Sequence, residues 1–331
     1  MAGGLLSATV ATAQAASSSL PCDIYASAGT PCVAAHSTVR ALYAAYNGSL
    51  YQVKRASDGK TLNIRTLRAG GYANAAAQNA FCARTSCIIR EIYDQSPEHN
   101  NLTIEGPGQR GGRDAGANAA ALSVTVGGHH VYGVYVTAGV GYRDNSTRGV
   151  PVGSSPQGEY MVVSGTHVNN KCCFDYGNAE TNSRDNGNGH MDAINLSTDC
   201  FFSPCSGPGP WVHADLENGL FAGANGSDPN NKGNLSAFVT ALVKSNGKTT
   251  YAIKGGNAQS GRLTTWYYGP LPDRGGYVPL HQEGAIVLGT GGDNSNRSIG
   301  SFFEGAMTSG YPTRAADNAV QANIVSVHYG K

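Results

Sequence analysis

The segment Trp211-Val-His-Ala-Asp-Leu-Glu-Asn-Gly-Leu-Phe221 sets two acids, Asp215 and Glu217, two residues apart in a run of strand character. Residues i and i+2 of a strand share a face, so this spacing predicts both carboxyls on one side, with Cα atoms about 6.6 Å apart. Carboxylates that close raise each other's pKa unless a hydroxyl or a cation satisfies one of them, and a pair of that kind suits nucleophilic or acid–base work in a cleft. Two ordinary acids on a solvated strand face are the plainer reading. The flanking Trp211, Val212, Leu216, Leu220 and Phe221 favour the cleft, because buried acids need a partner or a task.

A third acid, Asp293, stands in Leu288-Gly-Thr-Gly-Gly-Asp-Asn-Ser-Asn296, where a buried-looking strand runs into a glycine-rich turn. Glycines let the backbone approach a ligand and aim a side chain from a strand end, although a turn Asp making a local hydrogen bond is equally ordinary. The adjacent Cys172 and Cys173 are unusual, since neighbouring Cα atoms lie about 3.8 Å apart across a trans peptide and ordinary disulfides span about 4.4–6.8 Å. Joined to each other, they would present a flat sulfur surface suited to a sugar face.

Eight cysteines allow 105 pairings, and sequence alone does not choose among them. They nevertheless fall into neighbours: Cys22 with Cys32, Cys82 with Cys87, Cys172 with Cys173, and Cys200 with Cys205. No CxxC pair or Cys/His cluster has zinc spacing, so disulfides in an oxidising compartment are expected and no metal or other cofactor is. His129–His130 lacks a third ligand in register. Asp185-Asn-Gly-Asn-Gly189 lacks the closing Glu of a calcium loop, and Gly106-Pro-Gly-Gln-Arg-Gly111 does not open a helix as a dinucleotide site requires.

The elements that must position these residues read as strands. Leu50–Arg55 and Thr61–Thr66 alternate around Asp58–Gly59, and Phe238–Lys244 and Thr249–Lys254 flank Asn246–Gly247, two hairpin signals. Further short β-like runs are Ile88–Tyr93, Val131–Val136, Tyr160–Ser164, Trp211–Asp215 and Ile286–Gly289. Helical spacing predicts short helices over Cys32–Tyr46 and Ala73–Ala83, and Thr313–Tyr329 reads as a helix followed by a closing strand. Strands joined by turns rather than long helices point to an all-β sandwich, with loops over Gly106–Gly116 and Asn182–Gly189.

Net charge +1 and 14% charged residues leave no electrostatic surplus for nucleic acid or an anionic membrane, and no apolar run is long enough to span a bilayer. Residues 1–20 read as a weak or clipped export leader and 21–331 as the β-sandwich domain. Sequons begin at Asn47, Asn101, Asn145, Asn195, Asn225, Asn234 and Asn296. A secreted, glycosylated monomer is the expectation.

The stretches Pro21-Cys-Asp-Ile-Tyr25, Thr30-Pro-Cys-Val-Ala-Ala-His-Ser-Thr38, Tyr93-Asp-Gln-Ser96, Cys172-Cys-Phe-Asp-Tyr-Gly-Asn-Ala-Glu-Thr181, Lys254-Gly-Gly-Asn257, Gly291-Gly-Asp-Asn-Ser-Asn296 and Met307-Thr-Ser-Gly-Tyr-Pro312 carry a resemblance. From about Pro21 to Tyr329 the chain resembles the α-L-arabinofuranosidases of glycoside hydrolase family 54. The resemblance implies a concanavalin-like two-sheet β-sandwich (jelly roll) with a few short helices. Its implied activity is exo-acting removal, with retention, of terminal arabinofuranose from arabinan and arabinoxylan, a step in hemicellulose degradation. It implies Glu217 as nucleophile, Asp293 as acid/base, and a Cys172–Cys173 cystine against the sugar, with Asp215, Asn218 and Gly292 close to it. Family members often continue into a C-terminal arabinose-binding β-trefoil, whereas this sequence ends at Lys331. They carry a tryptophan in the Cys200–Cys205 stretch, where Phe201 or Phe202 is expected to supply the aromatic wall instead. A noncatalytic lectin-like sandwich is the alternative from another class, and a related furanosidase or β-xylosidase the nearer one.

Overall fold

The computed structural model describes residues 19–331. The expected leader, apart from Ser19 and Leu20, lies outside the described residues.

Two large antiparallel sheets pack face to face. The larger has ten strands in the order Leu220–Phe221, Trp211–Asp215, Asp192–Ser197, Asp175–Ala179, Ala285–Leu288, Tyr142–Asp144, Leu102–Ile104, Cys87–Ile92, Ser49–Arg55 and Thr61–Arg65. The other orders Cys32–Ser37, Gly300–Ser309, Gln157–Val163, Val239–Ser245, Thr250–Asn257 and Thr264–Pro270, with Val134–Val136 also paired to Gly300–Ser309. Met161, Tyr176, Leu196, Val212 and Phe302 are among the side chains that fill the space between them. The architecture is therefore the expected sandwich.

Turn chemistry sets the hairpins. Gly247 sits at φ 71° in the left-handed region that glycine tolerates, and the Asn246 carboxamide oxygen accepts from the backbone N–H of Lys248, Thr249 and Thr250. Asp58–Gly59 closes its hairpin the same way, with Gly59 at φ 70°.

Helix Ala75–Phe81 is capped by Asn74, and helix Arg314–Ser326 by Thr313, close to the predicted spans. The closing strand after it amounts to a single bridge, Val126 to Tyr329. Pro21–Ser27 forms a helix that the sequence did not announce, with Pro21 in its first turn.

Cys32–Tyr46 is not the helix its periodicity predicts. Cys32–Ser37 is a strand whose six residues are all buried, paired to Gly300–Ser309. The Asp94 carboxylate fixes this edge by accepting from Ala35 N at 2.7 Å, Ser96 Oγ at 2.6 Å and Asn100 N at 2.8 Å. Tertiary pairing overrides local propensity here, because Ala and His serve a doubly covered strand as well as a helix.

The cysteines pair as neighbours throughout. Cys22–Cys32, Cys82–Cys87 and Cys200–Cys205 have Cα atoms 5.6, 5.9 and 5.8 Å apart. Cys172 and Cys173 are joined to each other across a cis peptide, with Cα atoms 2.9 Å apart rather than the trans spacing assumed from sequence.

Candidate active site

Strands Asp175–Ala179, Asp192–Ser197 and Trp211–Asp215 pair so that Asp175, Asn195 and His213 form one row across the sheet. Alternation turns Ile194, Leu196, Val212 and Ala214 into the core and this polar row to the outer face. Asn195 ties the row together, donating to Asp175 at 2.6 Å and facing His213 Nδ1 at 3.3 Å. Burial pushes His213 down to about 3, so it is neutral.

Asp215 ends its strand, and Glu217 does not continue it. Glu217 and Asn218 lie at φ 61° and 54° in a turn that returns the chain to Leu220–Phe221. The expected strand-face pairing of the two acids is therefore replaced by a turn, which the Asp215 carboxylate itself stabilises by accepting from Glu217 N at 3.0 Å. Tyr277 Oη donates to the Glu217 carbonyl at 2.7 Å, and Gly189 N to that of Leu216 at 2.8 Å. Glu217 Oε1 accepts from Asn186 N at 2.7 Å and from Gly187 N at 3.4 Å.

Asp293 leaves the end of strand Ala285–Leu288 on the glycine-rich turn. Ser295 donates to its Oδ1 through N at 3.0 Å and Oγ at 2.5 Å, and Arg110 lies 3.2 Å from Oδ2. The same turn carries the cysteine pair, since Cys173 N donates to the Ser295 carbonyl and Arg297 N to that of Cys172. The Asp215 carboxylate and both Cys172 and Cys173 sulfurs lie within 4.8 Å of one another.

All of these groups line one cleft of about 680 Å³: Cys172, Cys173, Asp215, Glu217, Asn218, Gly292 and Asp293, every site residue expected from the sequence. Phe201, 52% exposed, stands on the lining, whereas Phe202 packs on Phe221 at 4.9 Å and beneath Arg274 at 4.2 Å. Phe201 is thus the aromatic side chain a ligand could meet.

Glu180, Asp185 and Ser295 are among the lining residues not singled out as site residues from sequence. Glu180 and Ser295 lie within the stretches that carry the family resemblance, and their position beside the two turns was the available signal. Asp185 was weighed only as a calcium ligand.

The cleft floor concentrates acid. Burial, then the contact with and charge of Glu180, and then Asp185 raise Glu217, while the Asn186 N–H opposes them. Burial raises Glu180 and Asp215, each to about 7. Burial and the neighbouring Asp215 push Asp175 well up. Such a cluster cannot be fully ionised and holds shared protons. Asp185, although opposed by burial, is held below its usual value by its contacts with Glu217, Asn218 and Gly187 N–H.

The turns at the sheet ends of this two-sheet sandwich thus bring paired carboxyls and a cystine wall into one polar cleft. A family model described as "Alpha-L-arabinofuranosidase B, catalytic" matches residues 21–330, and the chain belongs to that family. It is 55% identical over 317 residues to a probable alpha-L-arabinofuranosidase B of Aspergillus clavatus, covering 93% of this chain and 62% of that protein. The alpha-L-arabinofuranosidase of Hypocrea jecorina is 55% identical, with 93% and 63% covered. The chain thus spans about three fifths of the length of these relatives. Among solved structures, an arabinofuranosidase complexed with arabinofuranosyl-alpha-1,2-xylobiose superimposes with TM-score 0.92 at 50% identity, over 94% of this chain and 66% of that one. A glycoside hydrolase family 54 α-L-arabinofuranosidase soaked with a cyclic sulfate inhibitor gives TM-score 0.91 at the same identity and coverage.

Proposed function

We propose that this chain is the catalytic domain of a retaining, exo-acting α-L-arabinofuranosidase that releases terminal arabinofuranose from arabinan and arabinoxylan side chains. The observation that carries the reading is the convergence of Glu217 and Asp293, from turns of different strands, on one cleft walled by the Cys172–Cys173 cystine. A lectin needs no such pair of acids.

In the first step Glu217 attacks the anomeric carbon, the glycosidic C–O bond breaks, and Asp293 delivers a proton to the departing oxygen. In the second, Asp293 takes a proton from water as that water displaces Glu217 from the anomeric carbon. Asp215, Asn218 and the backbone of Gly292 hold sugar hydroxyls, and the cystine packs on the sugar face. The Ser295 donors and Arg110 fix the direction of the Asp293 carboxylate.

Four disulfides suit an oxidising, extracellular compartment. No helix among the described residues is long and apolar enough to cross a membrane. The Trichoderma koningii relative, named "Arabinofuranosidase/B-xylosidase" and 55% identical, keeps xylosides in view as a second substrate.

Turnover of p-nitrophenyl α-L-arabinofuranoside beside the β-D-xyloside and β-D-galactofuranoside tests the substrate, with the arabinoside expected to dominate. A proton NMR time course tests retention. Dominant turnover of another glycoside, or the inverted anomer appearing first, would overturn the corresponding part.

A further inference from the structure

Glu180 follows the strand Asp175–Ala179 and lines the cleft, yet is only 1% exposed. A Cβ on Gly292 would collide with its carboxyl, so the glycine makes room for it. Among the described residues, neither Glu180 carboxyl oxygen meets a hydrogen-bond donor, and Glu217 Oε2 also lacks one. The two carboxyls are in hydrogen-bonding contact with each other. Two bare carboxylates cannot share such a contact, so a proton lies between them.

The surrounding donors decide which acid owns that proton. Glu217 Oε1 is held by the backbone N–H of Asn186 and Gly187, which favours the ionised form. No donor from another described residue reaches the Glu180 carboxyl, because Arg143 donates to its backbone carbonyl instead. An anionic Glu217 beside a neutral Glu180 gives Glu217 Oε2 the donor it lacks.

We propose that Glu180 keeps its proton through the catalytic cycle and donates it to Glu217 Oε2, a positioning residue acting through the nucleophile. The inference rests on Glu217 being that nucleophile. A carboxylate oxygen has more than one acceptor direction, so the bond leaves Glu217 able to attack. When the glycosyl ester breaks in the second step, negative charge returns to Glu217, and the preformed Glu180 O–H stabilises it. The charged groups around Glu180 are the Glu217, Asp215 and Asp175 carboxyls and the Arg143 guanidinium. Burial raises the Glu180 carboxyl above its usual value, which favours the protonated form until the pH is raised.

The test compares the unmodified protein with Glu180→Gln and Glu180→Ala on p-nitrophenyl α-L-arabinofuranoside, whose good leaving group lowers the demand on Asp293. A glutamine amide still donates, so Glu180→Gln should keep kcat within about tenfold and carry activity to higher pH, having no proton to lose. Glu180→Ala should lower kcat by about 10²–10³-fold without raising KM, the loss expected when one donor to a charge-bearing oxygen is removed. An infrared difference spectrum between unmodified protein and either variant at neutral pH should show one protonated-carboxyl band lost. Equal damage by Gln and Ala with raised KM would make Glu180 an ionised ligand of the sugar and overturn the inference, as would an unchanged alkaline limb or no lost band. Failure of the unmodified protein to turn over the arabinoside would sink the proposed function instead, and the infrared measurement still decides whether a protonated carboxyl depends on Glu180.

Discussion

Arg40 and Glu304 lie as deep in the molecule as Glu180 and Glu217, but the company they keep differs. Glu304 takes Arg40 at 2.5 and 2.6 Å and Tyr329 Oη at 2.6 Å, with Tyr160 Oη at 3.3 Å. Asp317 on helix Arg314–Ser326 takes Lys244 at 2.6 Å and Lys254 at 2.7 Å, pinning the helix to the outside of the seven-stranded sheet. At the cleft, by contrast, Asp175, Glu180, Asp215 and Glu217 are buried acids beside other acids, and oxygens of Asp175, Glu180 and Glu217 lack donors among the described residues. Opposite charges that satisfy one another hold a scaffold together. Like charges held close are destabilising unless protons are shared, and a fold retains them where the shared protons serve chemistry.

Substitutions on the two sides should therefore separate stability from activity. The largest effect is expected from Glu217→Gln, which removes the proposed attacking anion and should lower kcat on aryl arabinofuranosides by about 10⁴–10⁶-fold. Because it also removes a like charge, its melting temperature should equal or exceed that of the unmodified protein. Retention of a tenth of the turnover would move the nucleophile elsewhere, with Asp215 next in line.

Asp293→Ala should lower release of arabinose from a polysaccharide by about 10²–10⁴-fold. An aryl arabinofuranoside should still form the intermediate, and added azide, which needs no base, should then give arabinofuranosyl azide of retained configuration. Equal losses on both substrates without azide product would leave Asp293 a mere positioner of the sugar.

On the scaffold side the expectation reverses. Glu304→Gln strands the buried Arg40 guanidinium and should cost about 3–5 kcal/mol in denaturant unfolding, with kcat unchanged. A comparable loss of kcat in folded protein would show that the two regions are coupled after all.

The smallest effect, taken per pH unit, concerns Asp192. Burial raises Asp192 from 3.8 to about 7 in the folded chain. Between those values the folded state holds a proton that the unfolded state has lost, so stability falls as pH rises through that window. Asp192→Asn should remove a fall of about 1.4 kcal/mol for each pH unit of the window, read from denaturant midpoints at several pH values. An equally steep fall in the variant would assign it to other acids.

Sequence patterning made the outer hairpins legible, because Asp58–Gly59 and Asn246–Gly247 announce turns and their flanks alternate. It missed two of the strands beneath the cleft. Asp175–Ala179 and Asp192–Ser197 are polar in sequence and wholly buried in the fold, since the cleft acids and their partners cover one face while the core covers the other. Glu217, Asp293 and the cysteine pair were visible as residue types in telling surroundings. Glu180 was not, because its importance comes from missing donors, which no sequence displays. Asn195 illustrates the same limit: it satisfies a sequon, but is fully buried and bonded to Asp175, so it offers no site for a glycan in the folded chain.

The crowding of Gly292 against Glu180 has an evolutionary corollary. The two positions are epistatic: an alanine at 292 is most deleterious while a glutamate occupies 180 and less so once that side chain is shortened, when the Met191 sulfur remains the group that must shift. Lineages that reshape this wall of the cleft must pass through a change at 180 before one at 292, and a library randomising both positions should recover larger residues at 292 only beside smaller ones at 180.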